Sequence, residues 1–152
     1  MRLRVYTDTS VLGGCEDEEF AAHSVRLLEG FVLGERTLVL SDLTLQELAN
    51  APTEVRDRLA LVPEVYIETI RLGAEAGELA DEYISSGVLP ARLRADAQHI
   101  AMATVARVDV LVSWNFKHIV NLQRIRGYNS VNLRLGYPLI EIRTPREVFN
   151  DE

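Results

Sequence analysis

The chain has 152 residues, of which 47% are hydrophobic and 26% charged, a composition that excludes a disordered chain and allows a buried core. The formal net charge of −7 is typical of a soluble surface and argues mildly against nucleic-acid binding, although local basic patches and bound cations can reverse the sign of a site. Charges interrupt every apolar segment before it reaches the length of a membrane span, so we expect no membrane association.

Cys15 is the only cysteine of the chain, which excludes an internal disulfide and is typical of a reducing compartment. A strand-like segment begins within a few residues of the amino terminus, so no secretory signal is expected. Together these features predict a cytoplasmic protein.

Strand-like and helix-like segments alternate along the first half of the chain. Strands are short apolar runs, whereas helices show apolar residues at helical spacing. Gly34 is a plausible stop for the first helix, and Pro52 separates two short helices. The predicted elements are a strand at Val5–Thr7, a helix at Glu18–Leu33, a strand at Thr37–Leu40 and helices at Leu43–Asn50 and Glu54–Leu61.

The alternation continues in the second half. The predicted elements are a strand at Val65–Ile67, helices at Ile70–Ser86 and Arg92–Arg107, and strands at Val110–Val112 and Leu139–Ile142. A short terminal helix follows, because Thr144, Pro145 and Glu147 form a capping box with proline at the first helical position. The order of elements predicts a single α/β domain over residues 1–152, a three-layer α/β/α sandwich with a mainly parallel five-stranded sheet.

Four polar residues from separate segments are predicted to meet at the carboxyl edge of this sheet, where ligands bind in such folds. Asp8 follows the first strand, and Glu47 lies on the short helix after the second. Asn115 follows the fourth strand. Asp96 is near the start of a helix that runs antiparallel to the sheet, so it reaches the same edge.

Three carboxylates in one cleft repel one another, by ~4 kcal/mol for two unit charges about 4 Å apart at an effective dielectric near 20. A divalent cation would compensate, and hard oxygen ligands suit Mg²⁺ or Mn²⁺. Such an ion could activate water against a phosphodiester. Each residue also has a simpler interpretation: Asp8 as a turn cap, Glu47 in a capping box with Thr44, Asp96 as a charge complementing the helix dipole, and Asn115 as N-cap of a segment at 116–124.

Several other side chains have two open interpretations. His99 lies one turn after Asp96 and either orients a ligand or packs in the core. Lys117 and His118 follow the fourth strand and are candidates for phosphate contact. Trp114 and Phe116 either stack on a base or pack in the core. A basic rim for RNA, or alternatively a solvated helix face, would be formed by Arg92, Arg94, Arg124 and Arg126.

Rival enzyme classes of similar architecture lack their motifs here. The residues after the first strand, Asp8–Gly14, contain no dinucleotide-binding glycine fingerprint. The chain has no P-loop, no nucleophile elbow and no paired-histidine zinc motif.

Four segments together resemble a PIN domain of the kind found in VapC-type toxins. They occur in the family's order and are spread over most of the chain: VYTDTSVL at 5–12, SDLTLQEL at 41–48, DAQHIAMA at 96–103 and VDVLVSWNFKHI at 108–119. The resemblance implies a sheet of order 3-2-1-4-5 and a Mg²⁺- or Mn²⁺-dependent endoribonuclease. It also implies a cognate antitoxin protein and a homodimer.

The resemblance assigns roles to individual positions. Asp8, Glu47 and Asp96 match the family's three main acids, and Asn115 stands where many relatives have aspartate. Ser10 and Ser113 match small polar positions of the family, and with Lys117 they are expected to contact the substrate. An amide at position 115 brings no charge, so the alternative is a PIN-like module that binds RNA or a partner without cutting.

Overall fold

A computed structural model describes residues 2–148 as five parallel strands covered by helices. The strand order is β3-β2-β1-β4-β5, which confirms the predicted order 3-2-1-4-5. The predicted domain limits at Met1 and Glu152 lie outside the described residues. The strands are β1 (Arg4–Thr7), β2 (Thr37–Ser41), β3 (Ile67–Ile70), β4 (Val110–Val112) and β5 (Ile142–Arg143).

Helices connect the strands and cover both faces of the sheet. They are α1 (Thr9–Gly14), α2 (Ala21–Val32), α3 (Asp42–Leu48), α4 (Thr53–Ala60), α5 (Ala74–Ser85), α6 (Arg94–Val105), α7 (Leu122–Arg134) and α8 (Pro145–Val148). Within the described part of the chain, none of these helices is both long and apolar enough to cross a lipid bilayer.

Alternate strand residues enter two separate cores, one on each face of the sheet, because successive side chains of a strand point to opposite sides. Tyr6 and Leu111 pack against α5, α6 and α7. Val5 and Leu38 pack against α1, α2 and α4 on the other face. The two cores confirm the predicted three-layer α/β/α sandwich.

Several predicted helix ends are confirmed. Gly34 follows α2 with φ of +75° and Gly87 follows α5 with φ of +79°, a backbone region that favours glycine. The predicted capping box also forms: the Thr144 N–H donates to Glu147 Oε1 at 3.0 Å, and the Glu147 N–H donates to Thr144 Oγ1 at 3.3 Å.

The first half of the chain departs from prediction in two places. The predicted helix at Glu18–Leu33 begins only at Ala21, since the Asp17 side chain accepts the Glu19 N–H and forms a turn, and the short α1 before it was not predicted. The predicted strand at Val65–Ile67 is shifted. A 3₁₀ turn after Pro63 occupies Glu64–Tyr66, so β3 begins at Ile67.

In the second half, α7 was not predicted as a helix, and three boundaries differ. The helix predicted at Ile70–Ser86 begins at Ala74, because β3 extends through Ile70, and the helix predicted at Arg92–Arg107 is α6 preceded by a 3₁₀ turn. The strand predicted at Leu139–Ile142 is displaced to β5. Asn129 of α7 binds both the N–H and the carbonyl of Ile140, which removes that residue from the ladder.

Candidate active site

Asp8 is the most buried of the predicted acids, with 5% of its surface exposed. It caps α1, because its Oδ1 accepts the Val11 N–H at 3.2 Å. The same oxygen accepts the Ser10 hydroxyl at 2.6 Å, and Oδ2 accepts the Ser113 hydroxyl at 2.6 Å. Burial raises the pKa of the Asp8 carboxyl, while these two hydroxyl groups oppose the rise. Asp8 is therefore both the predicted turn cap and a fixed carboxylate that lacks full hydration.

The two serines are themselves held by the segment after β4. Ser10 Oγ accepts the Trp114 N–H at 2.9 Å, and Ser113 Oγ accepts the Asn115 N–H at 2.9 Å. Ser113 is fully buried and its hydroxyl group orients Asp8, while its contact with the substrate stays a prediction. Ser10 is half-buried and can reach both Asp8 and the surface.

Glu47 lies in the last turn of α3 and points toward α6. Its Oε1 accepts the Thr9 hydroxyl at 2.9 Å and bonds with His99 Nε2 at 2.8 Å. The hydrogen bond with His99 is the main cause of a lowered pKa of the Glu47 carboxyl. The predicted capping box of Glu47 with Thr44 is wrong, because Ser41 caps α3 by accepting the Thr44 N–H.

His99 connects Glu47 to the core through a chain of hydrogen bonds. Its Nδ1 is 2.6 Å from the Tyr6 hydroxyl, which is 2.8 Å from the Ser41 hydroxyl. An ionised carboxylate only accepts, so His99 Nε2 donates to Glu47, and in a neutral ring Nδ1 then accepts from Tyr6. The chain fixes the orientation of a nearly buried imidazole and, through it, of Glu47.

Asp96 lies in the first turn of α6 and is half-buried. Burial is the main cause of a raised pKa of its carboxyl, and repulsion from Glu47 adds to the rise. His99, His118 and Arg124 oppose it. Asp96 thus lies within electrostatic range of Glu47, at the edge predicted from the topology.

Asn115 follows β4 but does not begin a helix. Its Oδ1 accepts the His118 N–H at 3.0 Å and closes a turn, whereas α7 begins later with Asn121 as N-cap. The prediction that Asn115 caps a helix at 116–124 is therefore wrong, because that segment begins with a turn. The side chain does accept the backbone N–H three residues later, as an N-cap would. Lys117 is exposed on the same turn.

The three acids share one neighbour, since His99 acts electrostatically on the carboxyls of Asp8, Glu47 and Asp96 beside the main causes given above. Their oxygens are the hard donors that Mg²⁺ and Mn²⁺ prefer, and at Asp8 and Asp96 the neighbouring groups offset only part of the cost of burial, so the donor chemistry fits a divalent cation. Among residues 2–148, no three His, Cys, Asp or Glu side chains close around a single point. Asp8 turns to the serines and Glu47 turns to His99.

Basic side chains gather on one side of this edge. Arg124, Lys117 and Arg92 all act electrostatically on His118, whose pKa is lowered mainly by burial. Arg124 also donates to the Val88 carbonyl at 2.8 Å. Arg94, another member of the predicted rim, pairs instead with Asp81 on α5. The basic rim near the acids therefore consists of Arg92 and Arg124 from the predicted set, together with Lys117, which was predicted separately as a phosphate contact.

Thr9 and Tyr6 were missed as site residues, and His99 had been left open between two interpretations. A signal was present for Thr9, which is adjacent to Asp8 and carries a hydroxyl. The contact of Tyr6 with His99 depends on how α6 crosses the sheet, which spacing alone does not specify.

Comparisons with solved structures find the same fold in several toxin–antitoxin proteins. VapBC2 from Rickettsia felis, bound to a DNA fragment from its promoter, is 16% identical with a TM-score of 0.58, covering 93% of this chain and 98% of that chain. A toxin–antitoxin complex from Klebsiella pneumoniae is 20% identical with a TM-score of 0.54, covering 74% and 88%. VapC20 from Mycobacterium tuberculosis, a toxin that cleaves the sarcin–ricin loop, is 14% identical with a TM-score of 0.53, covering 70% and 86%.

The sequence itself matches no protein-family model and no curated protein. The strand order and the edge where the acids gather define a PIN-like α/β/α fold. More particularly, the structural neighbours show that the fold is that of a VapC-like PIN domain.

Proposed function

We propose that the chain is a single-domain, divalent-metal-dependent endoribonuclease that hydrolyses RNA phosphodiester bonds. The observation that carries the proposal is the gathering of Asp8, Glu47 and Asp96, from three different elements, around His99 at the carboxyl edge of the sheet. The pKa values of Asp8 and Asp96 are raised by burial, which is the condition that a bound cation would relieve.

The carboxylates of these three residues would hold Mg²⁺ or Mn²⁺, with Asn115 as an uncharged oxygen donor. When bound, the ion supplies charge neutralisation and a more acidic water. The hydroxyls of Ser10 and Ser113 fix the Asp8 carboxylate, and Thr9 and His99 fix Glu47. Such support restricts side-chain motion at a site where small displacements lower activity.

The basic rim of Arg92, Lys117 and Arg124 would bind the phosphates that flank the scissile bond. Attraction between these cations and a polyanion supplies affinity that does not depend on sequence. The rim also explains how a chain of net charge −7 can bind RNA, because binding requires only a local positive surface.

The solved neighbours include toxin–antitoxin complexes, so we propose a partner protein that covers the acidic edge. A homodimer is proposed as well, on the resemblance of the sequence to VapC-type toxins alone. A toxin that cleaves the sarcin–ricin loop is the neighbour that favours RNA as substrate.

A second candidate function assumes the same fold without catalysis. In this case the chain is a PIN-like module that binds RNA or a protein and does not cleave RNA. The observations that favour it are the amide at Asn115 and the arrangement of the described acids, which do not close around one point.

RNA cleavage decides between the two candidates. The assay compares wild type with Asp8→Asn and Asp96→Asn in Mg²⁺ or Mn²⁺, and uses Asp57→Asn on the exposed face of α4 as matched control. We expect wild type and the control to cut equally, and both site variants to lose roughly a hundredfold or more in rate, in line with loss of an electrostatic catalytic group. Equal cutting by all four proteins contradicts the site. RNA retention without cutting by wild type favours the binding module.

A further inference from the structure

Phe116 is a large aromatic side chain that the fold leaves exposed beside the acidic edge. It is 52% exposed, whereas Trp114, two residues earlier, is 9% exposed. The Trp114 indole N–H donates to Ser24 Oγ at 2.8 Å, so Trp114 is a core residue. Of the two aromatic residues in the turn directly after β4, Phe116 is the one available to a ligand.

The Phe116 ring is supported from behind by other aromatic rings. Phe20 stacks on Trp114 with ring centroids 4.5 Å apart and planes 19° apart. The Phe116 centroid lies 6.1 Å from that of Trp114 and 6.3 Å from that of Phe20. The backbone N–H of Trp114 also donates a hydrogen bond to Ser10 Oγ, which fixes Trp114 in place. The exposed ring therefore projects from an ordered cluster, and little side-chain freedom would be lost on binding.

Phe116 lies in the chain between a candidate metal ligand, Asn115, and a residue of the basic rim, Lys117. It follows Asn115 and precedes Lys117 in the turn after β4, whose Ser113 holds Asp8. Glu18 and Glu19 precede Phe20 in the chain, whereas Phe116 is followed by Lys117, which acts electrostatically on His118 together with Arg92 and Arg124. A polyanion would be repelled by the two glutamates and attracted by these cations.

On the basis of the proposed function, we propose that Phe116 is the stacking platform for one unpaired base of single-stranded RNA adjacent to the scissile phosphate. The phosphates pass along Lys117 and Arg124, and the base turns toward the ring. Stacking on an aromatic face is tolerant of base identity and requires an unstacked base. The site therefore selects single-stranded RNA over duplex.

The test uses Phe116→Ala, Phe116→Leu and Phe116→Tyr, with Leu33→Ala as control, since Leu33 is an exposed apolar residue at the end of α2. Leucine keeps apolar surface without a π face, and tyrosine restores the face. The probe is a short single-stranded RNA with 2-aminopurine placed at each position in turn. A matched set carries an abasic site at the same positions. Affinity is measured by anisotropy in the uncutting Asp8→Asn background, and cleavage in the wild-type background.

We expect the alanine and leucine variants to bind RNA about tenfold more weakly, with KM raised and kcat nearly unchanged, and tyrosine to restore wild-type values. At one RNA position, the fluorescence of 2-aminopurine is quenched on binding to the protein that keeps Phe116 and is not quenched on binding to the Phe116→Leu variant. An RNA with an abasic site at that position binds more weakly to the protein that keeps Phe116. The same abasic site causes no further loss of affinity for the Phe116→Ala variant. Equal affinity of all variants, or equal abasic losses with and without the ring, overturns the proposal. Absence of cleavage by wild type contradicts the proposed function instead, and the binding comparison still decides the role of Phe116.

Discussion

At the scale of single residues, Asp8 places a carboxyl group where burial disfavours its charged form. Asp8 is buried, and its carboxyl pKa is raised by that burial despite hydrogen bonds from Ser10 and Ser113. A group held in an environment that disfavours its charged form is typical of a functional site. The carboxylate is expected to lower stability while serving metal binding.

Asp8→Asn should therefore stabilise the metal-free fold. A raised pKa in the folded state means that ionisation costs stability as pH rises above the unfolded value of ~3.9, and the cost is complete above the folded pKa. Asparagine caps helices about as well as aspartate. The Tm of the variant, measured in EDTA, should exceed that of wild type by a few degrees at pH 7, since about 1 kcal/mol shifts Tm by roughly 3 °C in a chain of this size. The difference should shrink toward pH 4, and a lower Tm at pH 7 would contradict the burial cost.

The placement of Asp8 and Asp96 at this edge could be predicted from the topology, because Asp8 follows a strand and Asp96 begins a helix, whereas Glu47 lies in the last turn of α3. The hydrogen-bond partners of these acids could not be predicted from the sequence. Glu47 bonds His99 rather than capping its own helix, and this contact depends on the orientation of α6 against Tyr6. The hydrogen bond between Ser113 and Asp8 was not predicted either, because it depends on how the chain after β4 turns back over Asp8.

At the scale of elements, the order of strands and helices was predictable while two helices were not. The α1 helix has six residues and begins at a site residue, so it lacks the length that makes a periodic pattern visible. The α7 helix is largely polar, and only Tyr128, Val131 and Asn132 are buried in it. Side-chain hydrogen bonds moved the ends of other elements, as Asn129 does at Ile140.

Gly34 gives a test of helix termination. Its φ is +75°, and a Cβ built there would lie 2.5 Å from the Tyr66 ring. Gly34→Ala should lower the free energy of unfolding by about 1–3 kcal/mol, since it combines backbone strain with a steric clash. Gly73→Ala is the matched control, because no atom lies within 4 Å of its Cβ position and its φ is ordinary. Urea unfolding measures both, and an equal change in the two variants would contradict this account of the α2 end.

At the scale of the whole molecule, overall charge and local charge have opposite signs. The chain carries 23 acidic and 16 basic side chains, yet Arg92, Lys117 and Arg124 gather on one side of the acidic edge. Composition therefore could not locate a binding surface, because the rim combines Arg92 with Lys117 and Arg124 from a second, distant part of the sequence.

Lys117→Ala should weaken RNA binding to a similar extent for every sequence. It should also reduce the slope of log affinity against log salt by about one, as expected for one lost phosphate contact. Arg134→Ala is the control, because Arg134 is exposed at the opposite end of α7 and pairs with Glu82. Anisotropy titrations from low to high salt give both slopes. An unchanged slope for Lys117→Ala would remove that residue from the RNA path.

The proposed shared cation site of Asp8, Glu47 and Asp96 can be tested by Mn²⁺ binding, which does not depend on RNA cleavage. The EPR signal of the free ion measures how much Mn²⁺ the whole chain binds. Wild type and Asp57→Asn should bind the ion with equal affinity, and Asp96→Asn should bind it at least about tenfold more weakly, since removal of one charged oxygen donor leaves the others repelling. Failure of wild type to take up Mn²⁺, or identical titrations for all three proteins, would show that Asp8, Glu47 and Asp96 do not act on a common cation.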